Sequence, residues 1–235
     1  MGGATGKRCM EQKVEIDGKS RKLRKRGVKR LETLLDATAY LLEQRQDENI
    51  SLADIAARAD IPLASVYHFF PNRNAAFVML AERYHRQIAD QVTAPIVPRP
   101  QSWQEVVTYR QRRGSAYLNA NPAAQRLFLG AGVSVEVRNT DLNGNASLAR
   151  FYADLFCRYF EIGQSAALED MMANSIALMD GIWALSYSRH GRITDAFLTE
   201  STRASIAYLR CYLPEHLKPR HEGGDAPQPG SDGQS

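Results

Sequence analysis

Cysteine is scarce. The 235-residue chain holds three, Cys9, Cys157 and Cys211, an odd number with no C-x-x-C spacing. That excludes a disulfide framework and a zinc ribbon and fits a reducing compartment, so the cytoplasm is the expected location. No apolar run approaches the roughly 18–20 residues that cross a bilayer, so no membrane partner is expected. The N-terminus is charged where a secretory signal has its apolar stretch. Sustained apolar–polar alternation is missing as well, which excludes extensive sheet.

Catalytic and cofactor signatures are equally thin. The five histidines (His68, His85, His190, His216, His221) form no ligand cluster with cysteine, and no Ser/His/Asp order is defensible. No metal and no enzymatic site are therefore expected; an enzyme on a helical scaffold would need titratable residues gathered in one cleft. Glu82-x-x-His85 has the spacing of a carboxylate-bridged metal motif, but such sites need several copies, and a solvated helix face is the simpler reading. Gly130-Ala131-Gly132 lacks a third glycine and a preceding strand, so no dinucleotide cofactor is expected.

What is abundant is positive charge at one end. Eleven of the 30 Lys and Arg, against three of the 26 acids, lie in residues 1–30. The arm carries a net +8 and the rest of the chain −4, which gives the overall +4. Such arms commonly bind nucleic acid, and a solvated tail is the plain alternative. Few large apolar residues and no sustained period make residues 1–27 a flexible arm in this reading.

From Leu31 the pattern is helical. Leu31, Leu34, Leu35, Ala39 and Leu42 form one stripe, which predicts a helix over about 28–44. Ser51 is a favoured N-cap and Asp54 completes a near capping box for a short helix over about 52–58. Asp60 marks the turn. Pro62 suits the first turn of a third helix, about 62–69, because its missing N–H would be unbonded there. Pro71-Asn72 breaks it, and a long fourth helix follows over about 74–93. Residues 94–100 hold three prolines in seven and read as a boundary between two parts. Helices are predicted over 103–120 and to about 129. Asn139–Asn145 reads as a Gly/Asn/Asp turn. Three apolar stripes follow, over 148–160, 168–183 and 197–213. Residues 214–235, with four Pro and four Gly, read as a disordered tail. The expected fold is all-α, with eight to ten helices.

Residues 51–70 carry the most information: two short helices around a tight turn, the pattern of a helix-turn-helix. Ile55, Ala56 and Ala59 would pack on Ile61 and Val66, leaving Leu63, Ala64, Ser65 and His68 outward on a face narrow enough for a major groove. Here the sequence resembles the tetracycline-repressor (TetR) family of bacterial transcriptional regulators. The resemblance rests on Ser51, Ile55-Ala56, Ala59, Tyr67, Phe70 and Arg73 and covers roughly residues 28–88. The chain departs from the family pattern at Gln46 and Asp60, where glycine is usual, at Pro62, where serine is usual, and at Phe69, where histidine is often found.

The resemblance implies a homodimer. Residues 28–75 would form the DNA-binding domain and residues 76–213 a bundle for a small effector and for dimerisation. It implies binding of a palindromic double-stranded operator, most often as a repressor, and with it nucleoid association. Carried over by position, Tyr67 and Arg73 would contact phosphates, Ser51 would donate its hydroxyl and N–H to another, and Leu63, Ala64, Ser65 and His68 would face bases. Arg26 and Lys29, with their basic neighbours, would reach phosphates or the minor groove. The effector would be partly apolar or aromatic. Trp103, Tyr117, Phe128, Phe151, Asp180 and Trp183 are the candidates to line its site, with Arg113, Asn119 and Tyr187 as further polar groups. An effector-independent architectural DNA-binding protein is the alternative, and a fully packed, dry bundle would favour it.

Overall fold

The computed structural model describes residues 5–44 and 50–220, with side chains from residue 25 on. The described residues contain nine helices and no strand, apart from one isolated bridge between Phe160 and Pro219. The fold is all-α, as the sequence predicts. No described helix is long and apolar enough to cross a membrane. The residues group into two compact units, 1–80 and 81–235.

The first unit holds α1 (Thr5–Gln44), α2 (Leu52–Ala59), α3 (Leu63–Val66) and the first turns of α4 (Arg73–Thr93). Helix α1 begins far upstream of the expected 28. Residues 5–27 lack an apolar stripe but are rich in Lys, Arg, Gln and Glu, good helix formers, and intrinsic propensity suffices for helical backbone. Gln46, expected in a polar loop, lies outside the described residues.

Ser51 closes a full capping box with Asp54 at the start of α2. At its end Asp60 takes the left-handed conformation (φ 52°, ψ 45°). Its N–H bonds the Ala57 carbonyl and the Ile61 N–H bonds the Ala56 carbonyl, a Schellman ending in which aspartate replaces the usual glycine. Pro62 is the cap of α3 rather than its first residue. That helix is shorter than the expected 62–69: beyond Val66 the chain continues as turns through Phe69. Val66 and Phe70 are fully buried and anchor the segment, together with Leu34, Leu35, Ile50 and Ile55.

The second unit contains the rest of α4, α5 (Trp103–Ala120), α6 (Pro122–Leu129), α7 (Val135–Tyr159), α8 (Ala166–His190) and α9 (Asp195–Leu209). Ser102, Ser134, Ser165 and Thr194 each accept a backbone N–H three residues on, which fixes where α5, α7, α8 and α9 begin. Gly191, at φ 67°, ends α8. Trp103, Phe156, Phe160, Leu168 and Leu209 form the centre of the core.

Three expectations are corrected. The Pro-rich stretch 94–100 is not a boundary between units: it lies inside the second one, with Ile96 and Pro100 buried and the Ala94 carbonyl bonded by Arg110. Asn139–Asn145 is not a turn but the middle of α7, because Asp141, Gly144 and Asn145 each meet a tertiary partner there. The tail does not start at 214. The Trp103 indole donates to the Pro214 carbonyl (3.0 Å), the Lys218 carbonyl accepts from Glu161 N–H, and Arg220 N–H donates to the Tyr159 carbonyl, so residues 214–220 are held to the bundle. A buried indole N–H requires an acceptor, and this segment supplies it. Residues 221–235 lie outside the described residues.

Candidate nucleic-acid interface and bundle cavity

In the first unit, Leu63, Ala64, Tyr67 and His68 are exposed on one side of α3 and the turn after it, while Val66 and Phe70 face the core. Leu63 is 38% exposed, and Tyr67, just past the end of α3, is 56% exposed. Ser65, assigned the same side, is only half-exposed. Asn72 caps α4 through Ala75 N–H (2.9 Å), which leaves Arg73 exposed at the first position of that helix. Its guanidinium lies 5.6 Å from the Phe77 ring centroid. Arg26 and Lys29 are exposed on α1.

Ser51 is exposed but not available as assigned. Its N–H donates to the Asp54 carboxylate at 2.8 Å and its hydroxyl donates to the same carboxylate at 2.6 Å. Both donors expected to meet a phosphate are spent within the capping box.

In the second unit, two adjoining chambers open inside the helical bundle. The larger, about 50 Å³, is lined from α4 by His85 and Ile88, from α5 by Arg110 and Gly114, from α6 by Phe128, from α7 by Asp141, Asn145 and Tyr152, and from α8 by Met179, Asp180 and Trp183. The smaller, about 40 Å³, is almost wholly apolar, with Val106, Phe156, Met172, Ile176 and Leu209 in its wall. Arg110, Tyr152 and Met179 belong to both and form the partition. Each chamber has room for a few water molecules.

Of the six expected lining residues, Phe128, Asp180 and Trp183 are brought together in the larger chamber and three are not. Trp103 is buried in the solid core, where its ring packs near Phe156. Tyr117 points away and donates its hydroxyl to Gln87 (2.7 Å). Phe151 packs against the core beside Arg110 and Arg158. All three obey the apolar helical period, and period alone does not tell core from cavity wall. Arg113, Asn119 and Tyr187 also lie outside both chambers.

Apart from Asp180, the polar lining was missed. His85 Nε2 lies 3.2 Å from Asp141 Oδ1, and the His85 ring stacks 4.5 Å from Phe128, centroid to centroid. The other Asp141 oxygen accepts from Arg138 at 2.7 Å. Asn145 donates to Asp180 at 2.7 Å. Burial, and then the Asp141 charge, push the Asp180 carboxyl up to about 7, against the smaller opposing effects of Arg138 and Asn145. Burial likewise raises the Tyr152 phenol. The signal was present: Asp141, Asn145, Leu148 and Tyr152 recur at helical spacing, a polar and apolar stripe that the glycine and asparagines disguised as a turn. Glu82 is exposed while His85 lines the chamber, so the Glu82-x-x-His85 pair does not converge. No group of three or more His, Cys, Asp or Glu is placed to hold a metal among the described residues.

Helices α5, α8 and α9 are joined by a buried polar relay next to the chambers. The Trp183 indole donates to Ser201 Oγ (2.9 Å), Ser201 Oγ donates to Gln111 Oε1 (2.8 Å), and Gln111 Nε2 donates to Ser205 Oγ (2.8 Å).

This helical architecture recurs in known structures. The fold is that of the TetR family. A TetR-family transcriptional regulator from Streptomyces coelicolor superposes with a TM-score of 0.64 at 20% identity, over 78% of this chain and 99% of its own. A TetR regulator from Rhodococcus sp. RHA1 gives 0.61 at 15% identity, over 78% and 97%. The TetR-family repressor FadR of Thermus thermophilus, solved with lauroyl-CoA, gives 0.56 at 18% identity, over 85% and 99%. No family model and no curated protein matches the sequence, so the likeness is one of fold.

Proposed function

We propose that this chain is a ligand-responsive transcriptional regulator, a repressor that binds a palindromic operator as a homodimer. The observation that carries the reading is the exposed face of Leu63, Ala64, Tyr67 and His68 on the short helix of a TetR-type fold. Leu63 and Ala64 cannot donate hydrogen bonds and suit thymine methyl groups; His68 is the polar reader. Tyr67 and Arg73, with Arg26 and Lys29, are the phosphate contacts. Residues 28–75 serve DNA binding and residues 76–213 serve the effector and the dimer.

Helix α8 supports the dimer. Ala177, Leu178, Gly181 and Leu185 recur on an exposed side, and a Cβ at Gly181 would meet nothing. A helix apolar on the side that faces water implies a further partner, and an isologous pairing of α8 and α9 would cover it. In such a dimer two recognition helices stand about 34–36 Å apart, one turn of DNA.

The chambers support an effector site over the architectural alternative, since the bundle is not fully packed. The lauroyl-CoA complex of FadR is an instance of an effector taken up by this fold. Ligand binding would favour a domain arrangement that no longer fits the operator. Gel shift on the promoter region of the chain's own gene tests the reading: specific binding that falls steeply with salt is expected. A monomer with no affinity for duplex DNA at low ionic strength would overturn it.

A further inference from the structure

We infer that the effector is a slender apolar carboxylate, held by Arg110 at the partition between the two chambers with its tail in the apolar one. This rests on the reading of the chambers as the effector site and adds the chemistry of the ligand.

Arg110 is a buried cation without an anion. It is 3% exposed. Nη1 donates to the Ala94 carbonyl at 2.8 Å, while Nε and Nη2 have no hydrogen-bond partner, although the side chain lines both chambers. The Tyr109 and Phe151 rings, 5.8 and 6.0 Å away, offer only their π faces. The charges that act on it are tyrosines and Arg113, not carboxylates. Burial lowers its pKa, but guanidinium stays charged in proteins. A buried charge with two donor atoms that no protein group satisfies is complementary to a two-oxygen acceptor.

The acids in the same cavity do not supply the missing partner. Asp141 is engaged by Arg138 and stands beside His85, and Asp180 is bonded by Asn145. Asp141 is balanced by Arg138, and burial holds the Asp180 carboxyl at about 7, so near neutral pH it is only partly ionised while Arg110 is fully charged. The excess charge of the chamber is positive, which favours an anionic ligand over an amine. Tyr152, held protonated by burial, adds a phenol at the partition. Beyond it, Val106, Phe156, Met172, Ile176 and Leu209 present apolar surface to a ligand tail; of the polar side chains in the same wall, Gln111 is already bonded to Ser201 and Ser205, and the other is Ser175. The small volume admits nothing wider than a single alkyl chain, and a tail of seven carbons enters only if the side chains of Met172 and Met179 give way.

The test titrates three probes of equal length, octanoate, octanol and octylamine, into the full chain. Binding is followed by calorimetry and by tryptophan fluorescence, to which Trp183 in the chamber wall contributes. Octanoate is expected to bind about thirtyfold or more tighter than either neutral or cationic analogue, and Arg110→Gln to lose that advantage. Arg110→Lys should restore part of it, since lysine supplies the charge without the fork. Equal affinity for the three probes, tightest binding of octylamine, no octanoate binding at millimolar concentration, or an unaltered preference in a folded Arg110→Gln variant would each overturn the inference. The head-group comparison on the native chain stands even if that variant fails to fold. Gel shift without ligand separates the two levels: operator binding with no carboxylate preference sinks this inference alone, whereas no operator binding sinks the regulator reading.

Discussion

Nε2 of His85 on α4 and Oδ1 of Asp141 on α7 stand 3.2 Å apart, at an angle that makes no hydrogen bond, and the imidazole is wedged between Phe128 and the backbone of Gly144. One helical turn after Asp141, a Cβ at 144 would overlap the ring. Gly144→Ala should therefore destabilise the fold by about 1–3 kcal/mol through overpacking. Helix propensity alone would give the opposite sign, a gain of up to about 1 kcal/mol. Urea unfolding decides between them, and a gain would mean that the ring is not held there.

Asp180 gives the bundle a pH dependence. Its carboxyl titrates at about 7 in the folded chain and at about 3.9 when unfolded. The folded state binds the extra proton between these values, so this contribution to stability is complete below about 4 and is lost as pH rises through about 7. The groups around Asp180 are Asp141, Arg138 and Asn145 from α7, with His85 and Tyr152 in the same chamber wall. Asp180→Asn, which still accepts from Asn145, should raise the melting temperature at about pH 8 and flatten its decline between pH 5 and 8. An unchanged slope would remove the assignment.

Ser51 is a stability residue in this structure. Ser51→Ala should cost about 1 kcal/mol of stability through the lost cap and leave operator affinity unaltered when the measurement is made well below the melting temperature. A selective loss of DNA affinity in a variant of native stability would show that the hydroxyl leaves Asp54 to meet a phosphate.

The phosphate contacts have a different signature. Arg73→Ala should weaken binding to all DNA sequences alike and reduce the slope of log K against log salt by about one. Tyr67→Phe, which removes one neutral hydrogen bond, should weaken binding with no change in that slope. Filter binding across a salt series reads both, and native affinity in the double variant would dismiss the clamp.

The proposed dimer depends on α8. Leu178→Glu combined with Leu185→Glu places two charges in its exposed apolar face. Sedimentation should then give a monomer, with operator affinity falling in parallel because two half-sites are no longer read together. A stable dimer in this variant would move the interface elsewhere.

The helix-turn-helix was legible because its determinants are local. Ser51 and Asp54 cap one helix, Asp60 turns the chain with a positive φ, and Pro62 starts the next. Each acts within a few residues of itself, so spacing alone locates it. The span expected over 103–120 is that of α5, whose start is fixed by the Ser102 cap. The sequence determined an all-helical chain with a basic leading segment and a short exposed helix of the TetR kind.

The tertiary structure decided the rest. Asp141, Gly144 and Asn145 looked like a turn because in isolation they compete with helix; in α7 they are held by His85, Arg138 and Asp180, and those contacts outweigh propensity. Residues 214–220 are ordered by a Trp103 indole more than a hundred positions earlier. Trp103 and Trp183 carry the same apolar signal, yet one fills the core and the other faces a cavity. Which of them meets empty space, and that Arg110 lies there without a counter-charge, depends on how five helices pack at once, and a linear pattern of spacings does not contain that information.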